Sequence, residues 1–291
     1  MTNLAVRILC GLLAGAATYG VFSFFLLKKE PRMIKPVPRE PRLELLRNYG
    51  GYAPGPEPEK YRTVFVLNRK IPDILRKYDY LSYSGRASAD QDDFVFAMLD
   101  FVCDHFKHSS NARLPRDHSM AGIIEGCRRN GGATNCRGLS LILAELLRMN
   151  GIRARHVTCK PYEEPFTDCH VVVDCCMPSG KRIMLDPTYR LYFVDDNGRY
   201  VSVARLREGI ISGDDFYPNA AASYNGEAFI YGNYREYMAK NLLRLNANLR
   251  LDDSRPDRPD AEIELVPAGY ATEGFPNRIQ FVTDPAVFWN M

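Results

Sequence analysis

The sequence predicts an α+β fold in which a helix that carries a cysteine packs on an antiparallel β-sheet, behind an N-terminal transmembrane helix. Two observations lead to this prediction. Helical patterns come first in the body of the chain and extended patterns follow as a consecutive run, which is typical of α+β proteins and not of doubly wound parallel sheets. Residues 8–27 also form an apolar stretch without a charge, which is the length that a helix needs to cross a bilayer.

The composition is that of a globular protein. Hydrophobic residues make up 46% of the 291 residues and charged residues 25%, so global disorder is excluded. The net charge is only +3, from 38 basic and 35 acidic residues. This balance gives no electrostatic basis for a nucleic-acid partner, which requires a clustered basic face. Eight cysteines in a chain of this length do not make a disulfide-stapled miniprotein.

The N-terminal apolar stretch is predicted to be an uncleaved membrane anchor. A signal peptide is the alternative, because Arg7 precedes the stretch. However, the stretch is long for a signal peptide and ends in Phe-Phe-Leu-Leu at residues 24–27, where a cleavage site would have small residues. We therefore predict a single-pass anchor over residues 1–29 that enters the lipid bilayer through residues 8–27.

The side of the membrane on which the body lies stays open. Six basic residues follow the apolar stretch between residues 28 and 42, which favours a cytoplasmic body under the positive-inside rule. A body with many cysteines also suits a reducing compartment. In contrast, Arg7 ahead of the apolar stretch is the polarity of a signal anchor whose C-terminus lies outside.

Residues 30–60 are predicted to be a linker, because they contain seven prolines and prolines at this density favour an extended, semi-rigid chain. A short helical turn at 43–47 is expected to dock on the body. Residues 61–291 form the predicted globular domain, with a core at about 90–205 and a C-terminal helix and strands at 206–291.

Two helices precede the strands of the predicted core. Residues 90–106 have apolar side chains at helical spacing after an acidic run, and a second helix begins at Cys136 and ends before Gly151. Loops are predicted at 107–126 and 207–223. The period-2 patterns and turn signals predict the remaining elements: strands at 152–159, 170–177, 181–186, 191–194, 200–203, 261–266 and 279–283, and a helix at 233–246.

Cys136 is the first candidate site residue. It follows a glycine-rich loop and begins an apolar helix, where unpaired backbone N–H groups carry partial positive charge. That charge favours the nucleophilic thiolate, and the same N–H groups can bind an oxyanion. The backbone N–H of Cys136 is the first predicted oxyanion donor. Asn130 is a candidate second donor, with a solvated loop asparagine as the alternative.

His170 and Asp186 are the second and third candidate site residues. They flank a turn at 177–180, and the midpoint of 170 and 186 is 178, so a hairpin around Pro178 would place them face to face. A carboxylate in this position holds the tautomer and orientation of an imidazole. The order Cys136, His170, Asp186 therefore predicts a triad for acyl transfer through a thiol.

Each of these residues alone has an ordinary structural explanation. A cysteine at a helix start can be a small buried hydrophobe, a histidine on a strand can be structural, and aspartate before proline commonly forms turns.

The cysteines and histidines between 156 and 176 lack the C-x2–4-C spacing of zinc sites, so no metal is predicted. Two of these cysteines could form a disulfide if the domain is exported. No nucleotide, calcium or flavin motif occurs, and no cofactor is predicted.

Four segments resemble the transglutaminase-like superfamily: GGATNCRGL at 131–139, GIRAR at 151–155, HVVVD at 170–174 and LDPT at 185–188. The resemblance implies a papain-like fold with the cysteine on a central helix and the histidine and aspartate on neighbouring strands. It implies that Cys136 is the nucleophile, His170 the base and Asp186 the orienting acid. Asp174 fits an acidic position of the family.

The chain departs from the family at one position. The family often has a tryptophan in the strand before the aspartate, but Arg182 occupies this position, and the single tryptophan of the chain is Trp289.

Together, these observations predict a membrane-anchored, thiol-dependent acyltransferase or hydrolase that acts on amide bonds of peptides or proteins. The triad does not decide whether water or an amine resolves the thioester, because both outcomes share the acylation step. The alternative is a catalytically silent, membrane-tethered module that binds peptides or proteins on the same fold.

Overall fold

The computed structural model describes residues 42–55, 61–162, 168–253 and 261–291. The predicted anchor at residues 8–27 lies outside this range. None of the helices within the described ranges is long and apolar enough to span a membrane.

The described chain folds into α-helices and β-strands with one 3₁₀ segment, Asp73–Tyr78. The helices are α1 Arg42–Tyr49, α2 Tyr80–Ser84, α3 Asp92–His105, α4 Met120–Arg129, α5 Cys136–Met149, α6 Val203–Ser212, α7 Tyr231–Asn241 and α8 Pro285–Phe288. The strands are β1 Val64–Val66, β2 Lys107–His108, β3 Ala133–Thr134, β4 Arg153–Lys160, β5 His170–Cys176, β6 Arg182–Leu185, β7 Phe193–Val194, β8 Tyr217–Pro218, β9 Ser223–Tyr224, β10 Glu227–Ala228, β11 Arg244–Asn248, β12 Arg250–Asp252, β13 Glu262–Leu265 and β14 Ile279–Val282.

A six-stranded sheet with the order β14-β13-β11-β4-β5-β6 organises the fold. The pairs from β13 to β6 are antiparallel, as predicted. However, β14 pairs with β13 in parallel, so the sheet is mixed and the prediction of a purely antiparallel sheet is wrong. The connection between β13 and β14 is long enough to return the chain to the same end of the sheet, which a tight hairpin cannot do.

Helices cover both faces of the sheet and enclose two hydrophobic cores. One core contains residues of α3, α4 and α5, and the other contains residues of α1, α6, α7 and α8. Neighbouring residues of β5 divide between them, since Val173 belongs to the first core and Val172 to the second. Burial on both faces explains the continuous apolar run at residues 171–173 of β5.

The helix predicted at 233–246 is two elements. Helix α7 ends at Asn241, and Arg244–Asn248 form β11, which lies between β4 and β13. The side chain of Arg244 forms a buried ion pair with Glu264 on β13, and Leu245 and Ala247 enter the second core. Pairing with two strands that are distant in sequence therefore outweighs the local helical preference.

The segments predicted as loops at 107–126 and 207–223 are partly helical. Helix α4 begins at Met120 after Ser119, whose side chain accepts a hydrogen bond from the N–H of Gly122 at 3.1 Å. Gly126 lies inside this helix and faces Pro115, so closely that a Cβ there would be 3.2 Å from the proline ring. The glycine that suggested a loop is thus a packing residue.

The strand predicted at 200–203 is also absent, since Tyr200 forms only a bridge and Val203 begins α6.

Helix α1 lies within the segment predicted as a linker and docks on the body. Leu45 and Leu46 are buried in the second core, and Arg47 Nε donates to the carbonyl oxygen of Ile211 at 2.9 Å. The helical turn expected at 43–47 is therefore a helix of eight residues that packs against α6 and α7.

Candidate active site

Cys136 is the first residue of α5. The preceding residue, Asn135, caps the helix: its side-chain oxygen accepts from the N–H of Gly138 at 3.0 Å, and its amide donates to the carbonyl of Ala112 at 3.0 Å. A Cβ on Gly138 would overlap the side chain of Thr134, so the glycine permits the close turn into the helix. These contacts hold the thiol at the N-terminus of α5, as the sequence predicted.

His170 is the first residue of β5 and lies beside Cys136. Its Nε2 is 2.6 Å from Asp186 Oδ2, and both side chains are buried. Its imidazole lines the same cleft as the thiol of Cys136, and the two groups interact electrostatically. Since Nε2 contacts the carboxylate, Nδ1 is the ring nitrogen left for the sulfur. Helix α5 and strand β5 are joined beside the site, because Ser140 Oγ on α5 donates to the carbonyl of Val171 on β5 at 2.9 Å.

The hairpin that joins His170 and Asp186 differs in register from the prediction. Val173 pairs with Leu185 and Cys176 with Arg182, so the hairpin is centred on residue 179 and not on Pro178. If this register is continued by one pair beyond Val173 and Leu185, Asp186 lies opposite Val172. His170 is then the diagonal neighbour of Asp186. The face-to-face pairing is therefore wrong, but a shift of two residues keeps both side chains on one face, and the contact forms.

Asp186 is fixed by two further donors. The hydroxyl of Tyr234 on α7 donates to Oδ2 at 2.9 Å, and the backbone N–H of Thr188 donates to Oδ1 at 3.0 Å. Tyr234 also stands edge-on to His170, with 6.5 Å between ring centroids. The sequence analysis missed Tyr234, because it lies 48 residues from Asp186 along the chain in a helix with no recognisable motif.

The thiol and the imidazole shift each other's titration. Burial raises the pKa of Cys136, but hydrogen bonds from His108 and His170, the charge of His170 and the N–H of Val171 outweigh it and lower that pKa to about 6. Burial lowers the pKa of His170, but the charge and hydrogen bond of Asp186, together with Cys136, raise it to about 10. The arrangement favours a thiolate–imidazolium pair at neutral pH.

His108 is a second histidine at the thiol, and the sequence analysis missed it. It lies on β2, which pairs with β3 so that His108 is opposite Thr134, two residues before Cys136. Its side chain lines the same cleft as Cys136, and its Nδ1 is 3.0 Å from the hydroxyl of Tyr224. The sequence placed this histidine in a loop, and only the pairing of two very short strands brings it to the site.

A cleft of about 590 Å³ opens over Cys136. Arg137 and Asp168 are the charged residues other than histidines that line it. Its aromatic wall consists of Tyr189, Tyr224, Phe229, Tyr234 and Tyr237. Tyrosines and a phenylalanine from the C-terminal half thus supply the aromatic surface of the cleft.

Asn130 is not brought to the cleft. Its side-chain amide donates to the carbonyl of Ala133 at 3.2 Å, and the residue is exposed. This contact closes the loop before Cys136, which corresponds to the structural alternative for this residue. The predicted contribution of Asn130 to an oxyanion site therefore has no support in the structure.

Arg182, at the position where the family often has tryptophan, binds Asp174 through two hydrogen bonds of 2.8 and 2.5 Å. The indole of Trp289 lies 5.0 Å from its guanidinium carbon. The single tryptophan thus reaches the same neighbourhood from the C-terminal end of the described chain. It covers an ion pair there and does not line the cleft.

The cysteines and histidines between 156 and 176 do not form a metal site. Cys159 and Cys175 belong to different cores, on opposite sides of the sheet. Burial raises the pKa of both thiols well above the ordinary range. Within the described residues no group of three metal-binding side chains occurs, and the seven described cysteines are free thiols.

Comparison with known proteins identifies the class of this domain. Residues 81–187, which include Cys136, His170 and Asp186, match the model of the transglutaminase-like superfamily. This part of the chain is therefore a transglutaminase-like domain. No curated protein matches the chain.

Two solved structures resemble the chain. A candidate cysteine protease from Cytophaga hutchinsonii has 19% sequence identity and a TM-score of 0.30, over 50% of this chain and 48% of its own. A candidate protease from Parabacteroides distasonis has 15% identity and a TM-score of 0.29, over 46% of this chain and 28% of its own. The match thus spans less than half of either protein's length.

Proposed function

We propose that the protein is a cysteine-dependent acyltransferase or hydrolase that acts on amide bonds of peptides or proteins. Cys136 is the nucleophile, His170 the acid–base residue and Asp186 the residue that orients it. One observation carries the proposal: the imidazole of His170 lies 2.6 Å from a buried carboxylate and shares a cleft with a thiol at a helix N-terminus. This is the arrangement that activates a thiol for attack on a carbonyl.

The acylation step follows from this geometry. The thiolate of Cys136 attacks the carbonyl carbon, a carbon–sulfur bond forms, and the π electron pair of the carbonyl moves to oxygen. The N–H groups at the start of α5 stabilise the resulting oxyanion. His170 then gives its Nδ1 proton to the leaving nitrogen, the carbon–nitrogen bond breaks, and a thioester remains. Asp186 holds the imidazolium throughout.

Deacylation reverses the role of the histidine. Neutral His170 takes a proton from water or from an amine as that nucleophile attacks the thioester. The thiolate leaves and the imidazolium pair is restored. Water gives hydrolysis and an amine gives transamidation, so one acyl-enzyme serves both reactions.

Replacing the nucleophile tests the proposal. Cys136→Ala should abolish acyl-enzyme formation with an activated ester and cleavage of a peptide library, with little change in thermal stability, because alanine is a good helix former. Cys176→Ala, on the same sheet but outside the cleft-lining set, is the control and should keep activity. A large loss of stability in Cys136→Ala would instead identify a packing residue.

Labelling by iodoacetamide separates the enzyme from the silent binding module. An activated thiolate should react at mildly acidic pH, where an ordinary cysteine with a pKa of about 8.5 is protonated. If Cys136 reacts no faster than cysteine in the denatured chain, the enzyme proposal fails and the binding module remains. In an active preparation, transfer of a dansyl-labelled amine to a peptide then distinguishes transamidation from hydrolysis.

We further propose that residues 8–27 anchor this domain in a bilayer. The support is the uncharged apolar stretch itself, which has the length of a membrane-spanning helix. The full chain should stay with membranes during alkaline extraction, and a chain without residues 1–29 should be released. An impermeant thiol reagent on intact cells reports the side, since it labels the body only if the domain faces outward.

A further inference from the structure

We propose that His108 is a further catalytic residue, whose Nε2–H donates to the sulfur of Cys136 at rest and to the substrate oxyanion during acylation. The second half of this inference rests on the proposed function. The first half concerns the resting protein alone.

The position of His108 is fixed through its backbone. The side chain of Asn225 accepts from the backbone N–H of His108 at 2.9 Å and donates to its carbonyl at 3.0 Å. On the other side, β2 pairs with β3, so that His108 lies opposite Thr134. The turn at Asn225, which is 117 residues from His108 in sequence, and the short strand β3 thus hold the imidazole beside the start of α5.

Tyr224 sets the tautomer of this imidazole. Its hydroxyl is 3.0 Å from Nδ1 of His108, and when the hydroxyl donates to Nδ1, the imidazole keeps its proton on Nε2. The two histidines then use opposite nitrogens. His170 contacts its partner Asp186 through Nε2 and presents Nδ1 to the sulfur, whereas His108 contacts Tyr224 through Nδ1 and presents Nε2–H.

A hydrogen-bond donor beside the sulfur can donate to the substrate oxygen once the negative charge has moved there. When the carbon–sulfur bond forms, the charge moves from sulfur to the carbonyl oxygen, which is two bonds away. The backbone N–H of Cys136 supplies one donor for this oxygen. Asn130 donates to Ala133 instead. Because His108 lines the cleft beside Cys136 and its Nδ1 is engaged by Tyr224, we assign the second donor to its Nε2–H. It keeps its proton throughout, since His170 protonates the leaving nitrogen.

Two variants of His108 test the two contacts. His108→Ala should move the midpoint of iodoacetamide labelling of Cys136 upward, towards the ordinary cysteine value of about 8.5. At a pH where the thiol is ionised in both proteins, it should also slow acylation by p-nitrophenyl acetate by about 10²–10³-fold, the usual loss for an oxyanion donor. His108→Gln, whose amide can donate from a similar position, should recover much of both.

Tyr224→Phe and Tyr217→Phe form a matched pair. Tyr224→Phe removes the hydroxyl that sets the tautomer and should shift labelling and acylation in the same direction as His108→Ala, but less. Tyr217 bonds Asp196 on the surface, away from the cleft, and Tyr217→Phe should behave as the unmodified protein. Circular dichroism and thermal unfolding of all four variants check that each is folded.

The outcomes separate this inference from the proposed function. An unchanged labelling midpoint in folded His108→Ala overturns the resting contact, and an unchanged acylation rate overturns the oxyanion contact. If the unmodified protein forms no acyl-enzyme, the proposed function fails together with the oxyanion contact. The labelling midpoint still decides whether His108 binds the thiolate.

Discussion

The centre of the candidate site is a thiol and an imidazole whose pKa values are both shifted in favour of the charged form. Cys136 has a pKa lowered to about 6 and His170 a pKa raised to about 10. Hydrogen bonds from two imidazoles lower the first, and the buried carboxylate of Asp186 raises the second. Between these values the sulfur is charged and the imidazole keeps its proton, which is the form that attacks a carbonyl.

The pH dependence of acylation follows from this pair. The rate should rise as pH increases through about 6, because the thiol ionises, and fall as pH increases through about 10, because His170 loses the proton that the leaving group needs. Single-turnover acylation by an amide substrate measures this profile. A single rise with a midpoint near 8.5, the ordinary cysteine value, would contradict the ion pair.

Asp186→Asn should be severe but milder than loss of Cys136. The amide can keep the contact with His170 but favours the wrong tautomer of the imidazole, a change that costs about 10⁴-fold in kcat in a serine triad. It also removes the charge that raises the pKa of His170, so the alkaline limb of the profile should move to lower pH. Steady-state kinetics measure both effects.

Asp195→Asn is the matched control, because Asp195 is also a buried aspartate but pairs with Arg199 in a turn. It should leave kcat and the pH profile unchanged. Activity of Asp186→Asn equal to that of the unmodified protein would remove Asp186 from the mechanism.

The start of helix α5 combines two functions in one turn. Its backbone N–H groups are the predicted oxyanion donors, and one of them, on Gly138, is bound by the side chain of Asn135. The same asparagine ties the helix to the carbonyl of Ala112. The cap therefore stabilises the helix and also sets the direction in which Cys136 points.

Asn135→Ala should affect the reactivity of Cys136 as well as stability, whereas an ordinary N-cap mutation should affect stability alone. Loss of an N-cap costs about 1 kcal/mol, so Asn135→Ala and Ser202→Ala, which removes the cap of α6, should lower the free energy of unfolding by similar amounts in urea titrations. Only Asn135→Ala should also slow iodoacetamide labelling of Cys136. Equal labelling of the two variants would show that the cap does not position the thiol.

Across the whole molecule, buried arginines tie the C-terminal end of the described chain to the sheet. Arg155 on β4 is fully buried and donates to Thr63 Oγ1 at 3.0 Å and to the carbonyl of Phe288 at 2.8 Å. It also pairs with Asp174 on β5. One side chain thus joins the residue before β1, the central sheet and helix α8.

Arg155→Ala should destabilise the whole domain. The change leaves Asp174 with less compensation in the interior and opens a cavity, and breaking a buried ion pair on one side costs about 3–5 kcal/mol. Arg153 is the control, because it lies two residues away on the same strand and is exposed. Its hydrogen bonds within the described residues go to the carbonyl of Met291 and the thiol of Cys176. Arg153→Ala should change the free energy of unfolding by less than about 1 kcal/mol. Equal losses would contradict a special role for Arg155.

Local chemistry made much of this predictable from the sequence. The glycine turn before Cys136 and the apolar run after it specify a helix that begins at the thiol. The apolar run at residues 171–173 indicates a strand that is buried on both faces. The spacing of His170 and Asp186 around a turn brings them to one face even though the register differs by two residues. These features depend on neighbours in the chain, so a pattern along the sequence records them.

The tertiary structure decided what depends on distant neighbours. Tyr224 reaches His108 across 116 residues and Tyr234 reaches Asp186 across 48, and neither pairing has a local signal. In the same way, Arg244–Asn248 became a strand because β4 and β13 offered it partners on both sides. The sequence by itself determined the candidate nucleophile, the helix that it begins, and the candidate partners His170 and Asp186. The tertiary structure decided which side chains surround these residues, such as Tyr234 at Asp186 and Tyr224 at His108. The physical reason is that buried polar groups require hydrogen-bond partners, and packing supplies those partners from distant parts of the chain.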